Sequence, residues 1–253
     1  MFYRRRDREW KDDVAAGLAE VARSGVKGFE PIAGSAEDVR RLGPLLDKHT
    51  LEMRSLYVNS RLHESAGVDE AIRGVLAIAK EAKALGTKII VTNPVPTRWG
   101  GLEDKSDAQL KVQSTALNEL GIEVRKLGLT FAYHNHDAEL RQGAREFHHM
   151  LTATDPENVK LCLDSHWIFR GCGDSQVALF DAVAHYHTRI VELHLRQSTG
   201  GIWTEAFSME GDIDSPRLFE QLETWKLKPH LVLEQAVEEK SPDMLSAVED
   251  CIG

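Results

Sequence analysis

The chain is short of cysteine: three in 253 residues, Cys162, Cys172 and Cys251, with no Cys-x-x-Cys pair. An odd count without paired spacing argues against a disulfide framework and against a thiolate zinc site. Cys162 sits inside an apolar run and reads as a small core residue. Long apolar stretches are missing as well. No run approaches the ~20 residues of a membrane span, and MFYRRRDREW carries positive charge with no apolar segment behind it, unlike a secretory signal. Positive charge is in deficit, 31 Lys and Arg against 40 Asp and Glu, for a net charge of −9. A general nucleic-acid binder needs a basic face to neutralise phosphates. The expectation left standing is a cytoplasmic, soluble protein with neither a membrane nor a nucleic acid as partner. Oligomeric state stays open.

What is present is the composition of a globular protein, 42% hydrophobic and 28% charged. The length is close to the ~250 residues of one (β/α)8 barrel. Apolar positions at helical spacing predict helices over 11–24, 35–49, 69–86, 105–127, 142–153, 176–187, 216–224 and 241–250. Apolar runs between them predict strands at 26–32, 51–59, 88–93, 129–134, 159–167, 189–196 and 230–235. No linker or change in composition divides this series, so residues 1–253 read as a single domain. Strands alternating with helices mean a parallel sheet, and near-continuous apolar strands favour a closed (β/α)8 TIM barrel. Little chain precedes the first predicted helix, so the first strand is expected to be short or missing.

Four runs end alike: FAYH at His134, LCLD at Asp164, VELH at His194 and LVLE at Glu234, at intervals of 30, 30 and 40 residues. A βαβ crossover takes about 30 or more residues, so these side chains finish successive parallel strands. In a closed barrel, strand ends converge on one mouth. Two imidazoles and two carboxylates meeting there predict a divalent-metal site. Any one of them has an ordinary explanation: a satisfied loop histidine, or an Asp164 paired with Arg170. All four together are harder to explain that way.

Further candidates surround these. In YHNHD, His134 and His136 share a strand face by the i, i+2 rule, and LDSHW gives Asp164 and His166 the same spacing. Glu192 lies one step deeper than His194 and suits the carboxylate that orients a ligand imidazole. Arg196 suits a substrate oxygen. Glu30 is expected to bind a substrate hydroxyl or to pair with Arg54 or Arg4. Glu139 is a candidate extra ligand or substrate contact. Trp99, Trp167 and Trp203 fall in loops on the mouth side, where an aromatic face suits a sugar or a packed lid.

The series GFE, YHNHD, LDSHW, HLR and LEQ, spanning Val26 to Glu234, resembles the xylose isomerase-like TIM-barrel superfamily of sugar isomerases, epimerases and inosose dehydratase. The resemblance implies one divalent metal, manganese first, with zinc, cobalt, iron or magnesium as alternatives. It matches Asp164, His194 and Glu234 to the family's metal ligands, His166 to a substrate-contacting histidine and Arg196 to a substrate-binding arginine. His134 departs from the glutamate of the ketose epimerases and removes one of two opposed carboxylates. The function implied is a metal-dependent isomerase or epimerase of a sugar or polyol acting through an enediolate. Glu234 would be the base, His166 and His136 would move protons on oxygen, and Arg196, Glu30, Glu139 and Trp167 would line the substrate. The alternative is a lyase that dehydrates a keto-sugar or keto-inositol by β-elimination.

Overall fold

A computed structural model describes residues 13–204 and 206–234. Helices α1 (Val14–Arg23) and α2 (Ala36–His49) precede strand β1 (Ser55–Ser60). Helix α3 (Val68–Ala84) leads to β2 (Ile89–Pro94), α4 (Asp107–Lys126) to β3 (Thr130–His134), and α5 (Arg141–Thr152) to β4 (Lys160–Asp164). Two helices, α6 (Ser165–Gly171) and α7 (Gln176–Tyr186), connect to β5 (Ile190–Leu195). A small hairpin, β6 (Ser198–Thr199) and β7 (Ile202–Trp203), is followed by α8 (Ser215–Thr224) and β8 (His230–Leu233). The main strands form one parallel sheet in the order β1-β2-β3-β4-β5-β8. Parallel neighbours in chain order, each joined through helix, give the α/β barrel arrangement expected from the alternation.

Local sequence explains the elements. Ser106 and Gln109 form a reciprocal capping box that starts α4, and Ser35 opens α2 by accepting from the Asp38 amide. On α3 the buried stripe Val75, Ile78, Ala79 and Ala82 follows the helical repeat and faces the sheet. Strand side chains alternate between two cores. Phe131, Tyr133, Leu161, Leu163 and Leu193 join the large core with the helices, while Tyr57, Val91, Ala132 and Cys162 form a small inner cluster. Burying each large apolar side chain contributes roughly 1.5–3 kcal/mol. Gly121 in α4 lets the helix close on the segment before β4: a Cβ there would lie 2.2 Å from the Asn158 carbonyl oxygen.

Two expectations are corrected. The segment 26–32 is bridged to its neighbour rather than forming a full strand. Gly28 pairs with Glu52 and Ile32 with Tyr57, with no ladder between them, because Pro31 has no amide hydrogen to donate. The strand expected over 159–167 stops at Asp164, and α6 starts at Ser165. Asp164 itself ends the strand: its Oδ1 accepts from the Trp167 amide at 2.9 Å as an N-cap. The helix expected at 241–250 lies outside the described residues.

Candidate metal centre

Pleating delivers the donors to one place. His134 and Asp164 are the last residues of β3 and β4, and register sets Asp164 level with His194 on β5. Glu234 follows β8 directly, its amide bonded to the Leu195 carbonyl at 3.0 Å. These residues share the inner face with Ala132 and Cys162. One ligand atom from each of His134, Asp164, His194 and Glu234 lies within 4.8 Å of the others. His194 Nδ1 is 3.1 Å from His134 Nε2 and 2.7 Å from Glu234 Oε2, and His134 Nε2 is 3.8 Å from Asp164 Oδ2.

The set fits a single divalent cation. Nitrogen and oxygen donors about 2.0–2.2 Å from an ion stand roughly 3–4 Å from one another, which is the spacing here with little adjustment. Asp164 Oδ2 is buried and, beside its 3.1 Å ion pair with Arg196 Nε, makes no hydrogen bond among the described residues, so it keeps a lone pair for a cation. Behind the donors, His194 Nε2 lies 3.0 Å from Glu30 Oε1 and 3.4 Å from Glu192 Oε1. A carboxylate behind a ligand imidazole fixes its orientation and raises its basicity. Tyr57 Oη stands 3.4 Å from His134 Nδ1. Asn135 clamps β3 to β4 by donating to the Asp164 carbonyl and accepting from the Asp164 amide, each at 3.1 Å.

Electrostatics divide the group. Burial pushes His134 well below the usual imidazole range, and the neighbouring His194 and His136 add to it, so its nitrogen is free of a proton. Burial raises Asp164 against the pull of Arg196. Burial would raise Glu234 too, but Arg196 and His194 outweigh it and hold that carboxyl well below its ordinary value. Burial opposes charge on His194, yet Cys162 and Glu30 beside it keep its proton on well above the usual range. Of the four donors only Glu234 opens to the mouth, its side chain one-third exposed.

Several side chains sit otherwise than the sequence suggested. Arg196 is fully buried, in ion-pair contact with Asp164 Oδ2 at 3.1 Å and with Glu234 Oε1. It thus takes the place proposed for Arg170 opposite Asp164. Its guanidinium lies 5.3 Å from the Trp167 ring and 5.1 Å from the Trp203 ring. Glu30 meets His194 rather than Arg54, and Arg4 lies outside the described residues. His136 lies past the end of β3, yet its ring is 4.8 Å from that of His134 and 5.2 Å from that of Trp99. His166 is on α6, not on the strand; it is buried, with Nε2 2.8 Å from Ser198 Oγ. Burial and the nearby Arg170 and Arg196 push its pKa down to about 3.

Glu139 stays out of the donor group. It accepts from the His136 amide at 2.7 Å and from Asn93 Nδ2 at 3.2 Å, and so braces the loop that carries His136. Burial, aided by Glu146, pushes its pKa up to about 7 from the ordinary 4.5. Between those values the folded chain keeps a proton that the unfolded chain has lost, so stability falls as pH rises through the window. The full penalty, roughly 3 kcal/mol, is reached above pH ~7. Glu139→Gln removes the charge and keeps one oxygen to accept from the His136 amide, while its NH2 would donate to Asn93 Oδ1, which has no hydrogen bond among the described residues. Urea unfolding should show its stability gaining on the wild type by up to about 3 kcal/mol between pH 5 and 8. A difference independent of pH would refute this assignment.

A curled parallel sheet in chain order with helices between its strands defines the TIM-barrel class of fold. The chain belongs to the xylose isomerase-like TIM-barrel family, whose profile matches residues 18–250. It is 26% identical over 189 residues to the inosose dehydratase of Lacticaseibacillus casei and 25% identical over the same length to that of Clostridium beijerinckii, covering 71% of this chain in each case. The match spans 61% of the length of those relatives. Among solved structures, a sugar phosphate isomerase/epimerase from Parabacteroides distasonis superposes with a TM-score of 0.75 at 21% identity, covering 96% of this chain and 91% of that one. The D-allulose 3-epimerase of Methylomonas sp., in complex with D-allulose, gives 0.69 at 16%, covering 94% and 90%. At such identities the likeness establishes the fold.

Proposed function

We propose that this chain is a divalent-metal-dependent isomerase or epimerase that takes a proton from the carbon beside a carbonyl of a sugar or polyol. The observation that carries this reading is the convergence of His134, Asp164, His194 and Glu234 at one mouth, each offering one ligand atom within 4.8 Å of the others. A divalent cation held by those four would draw charge from the substrate's carbonyl and hydroxyl oxygens and acidify the neighbouring C–H. Glu234, ionised and alone in facing the opening, is placed to take that proton as the base. Arg196, in ion-pair contact with Glu234 Oε1, holds that carboxylate from behind. Burial pushes the pKa of His136 down to about 4, so its neutral ring, next to that of His134, would take a proton from a substrate oxygen. Trp99 and Trp167 flank His136, with ring centroids 5.2 and 5.6 Å away, and offer a sugar their apolar faces. Mixed imidazole and carboxylate donors suit manganese, zinc, iron or cobalt alike; the family resemblance puts manganese first, with magnesium also in the range.

Dehydration by β-elimination is the second reading, favoured by one feature of the site. At position 134 an imidazole stands where a second carboxylate would be needed for proton transfer on opposite faces of one carbon. A single base suffices for shifting a proton between adjacent carbons, or for expelling a hydroxyl from the neighbouring one. The curated relatives named above are dehydratases, which points the same way.

The deciding experiment strips the protein of metal, reloads it with manganese, and follows carbon-bound protons by NMR in D2O with keto-sugars, aldo-sugars and inososes. Exchange with formation of an isomeric sugar establishes the first reading, and loss of water with a new enone absorbance the second. Absence of exchange with every compound sinks both. Independently of turnover, one metal per chain should bind. At a hundred times its dissociation constant it should stabilise the fold by about 2.7 kcal/mol in denaturant titrations.

A further inference from the structure

A line of three side chains ties α6 to the loop after β5, beside the indole that Arg196 also lies against. His166 Nε2 is 2.8 Å from Ser198 Oγ, and Ser198 Oγ is 2.6 Å from Asp212 Oδ2. Donor and acceptor counting places the protons. An ionised carboxylate only accepts, and Asp212 also takes the amides of Gly200 and Gly201 at 2.8 Å each. The one hydroxyl proton of Ser198 therefore goes to Asp212. Its oxygen is left as an acceptor, so His166 Nε2 must carry the proton that joins them. On a neutral ring the other nitrogen, Nδ1, is then a bare lone pair. His166 is 0% exposed, and Nδ1 has no hydrogen-bond partner among the described residues. The ring is held in place by Trp203, at 3.9 Å between centroids, and Arg196 lies against the same indole at 5.1 Å. A buried acceptor left unpaired is costly, and a bound hydroxyl group would satisfy it.

We propose that Ser198 and Asp212 are positioning residues that lock His166 in its Nε2–H form, so that Nδ1 is offered as an acceptor-only contact to a hydroxyl of the bound substrate. This rests on the reading of a polyol-type substrate. It adds a specificity rule: a compound with hydrogen or a methyl ether in place of that hydroxyl leaves Nδ1 unpaired and is rejected. The loop from 198 to 212 is tied into the same device, because Asp212 holds both its glycine turn and Ser198.

The test uses the ligand-free full chain labelled with 15N-histidine, the His166 signals being assigned by their loss in His166→Gln. Long-range proton–nitrogen spectra should show the Nε2–H form in the wild type, a mixture or reversal in Ser198→Ala, and recovery in Ser198→Thr. Ser198→Ala leaves the Asp212 bonds to Gly200 and Gly201 in place, so a tautomer change reports the relay and not loss of the loop. Adding D-allulose or an inosose should move the unprotonated nitrogen upfield in the wild type and less in Ser198→Ala. With whichever compound reacts, kcat/KM should fall about 10- to 100-fold in Ser198→Ala and recover in Ser198→Thr. An Nδ1–H form in the wild type, or a tautomer untouched by Ser198→Ala, overturns the proposal. So does an Nδ1 signal that ignores every compound added. The carbon-proton exchange assay judges the broader reading separately, since the tautomer is read without turnover.

Discussion

Glu234→Gln is expected to lower kcat by about 10²–10⁴-fold, the usual contribution of a positioned base. The glutamine has nearly the same shape, retains an oxygen toward the donor group, and loses both the charge and the capacity to take a proton. The loss should therefore fall mainly on kcat, with the metal still bound, though less tightly. Kinetics of the reloaded variant beside calorimetric metal titration separate the two effects. A variant that keeps full kcat removes Glu234 from the role of base. One that loses metal altogether makes it chiefly a ligand. The geometry favours the double role, since one carboxylate offers about four lone-pair positions, and Glu234 alone combines contact with His194 and Arg196 with an opening to the mouth.

Arg196→Met should destabilise the fold by about 3–5 kcal/mol, the cost of leaving buried carboxylates without their cation. Arg196 is wholly buried between Asp164 and Glu234, and its flat guanidinium lies against two indoles. Methionine fills much of the volume and neutralises nothing. Because a bound divalent ion faces the same two carboxylates, added manganese should restore part of the loss, and more of it than the metal adds to the wild type. Urea unfolding with and without manganese measures both numbers. Arg196→Lys should fall between, keeping charge but losing the fork that spans two partners. An Arg196→Met protein as stable as the wild type would remove the electrostatic account of the mouth.

Much of this site could be read from the chain. The apolar runs ending at 134, 164, 194 and 234 are legible because a buried strand tolerates a polar residue only at its exit, and crossover helices fix the interval between exits. Glu192 was legible from the two-residue repeat of a strand, which sets it one step deeper than His194 on the same face. The weak points were places where one residue changes the local rule. Pro31 interrupts the pairing of 26–32 by its missing amide hydrogen, and Asp164 turns strand into helix by capping Trp167, which carries His166 off the strand face. The N-cap signal of an Asp before SHW was present in the sequence, though the apolar run through it also suited a longer strand.

Ser198 and Asp212 had no such signal. They are polar residues in a Gly-rich loop, and 14 positions separate them. By itself the sequence determined the alternation of helix and strand, the polarity of each strand end and hence the chemistry gathered at the mouth, because periodicity and burial act locally. Only the tertiary structure decided that Arg196 is interior, that Glu30 stands behind His194, and that His166 is held by Ser198 and Asp212. Those pairings depend on how far the sheet curls and where one long loop returns, and no spacing along the chain encodes a distance across the barrel.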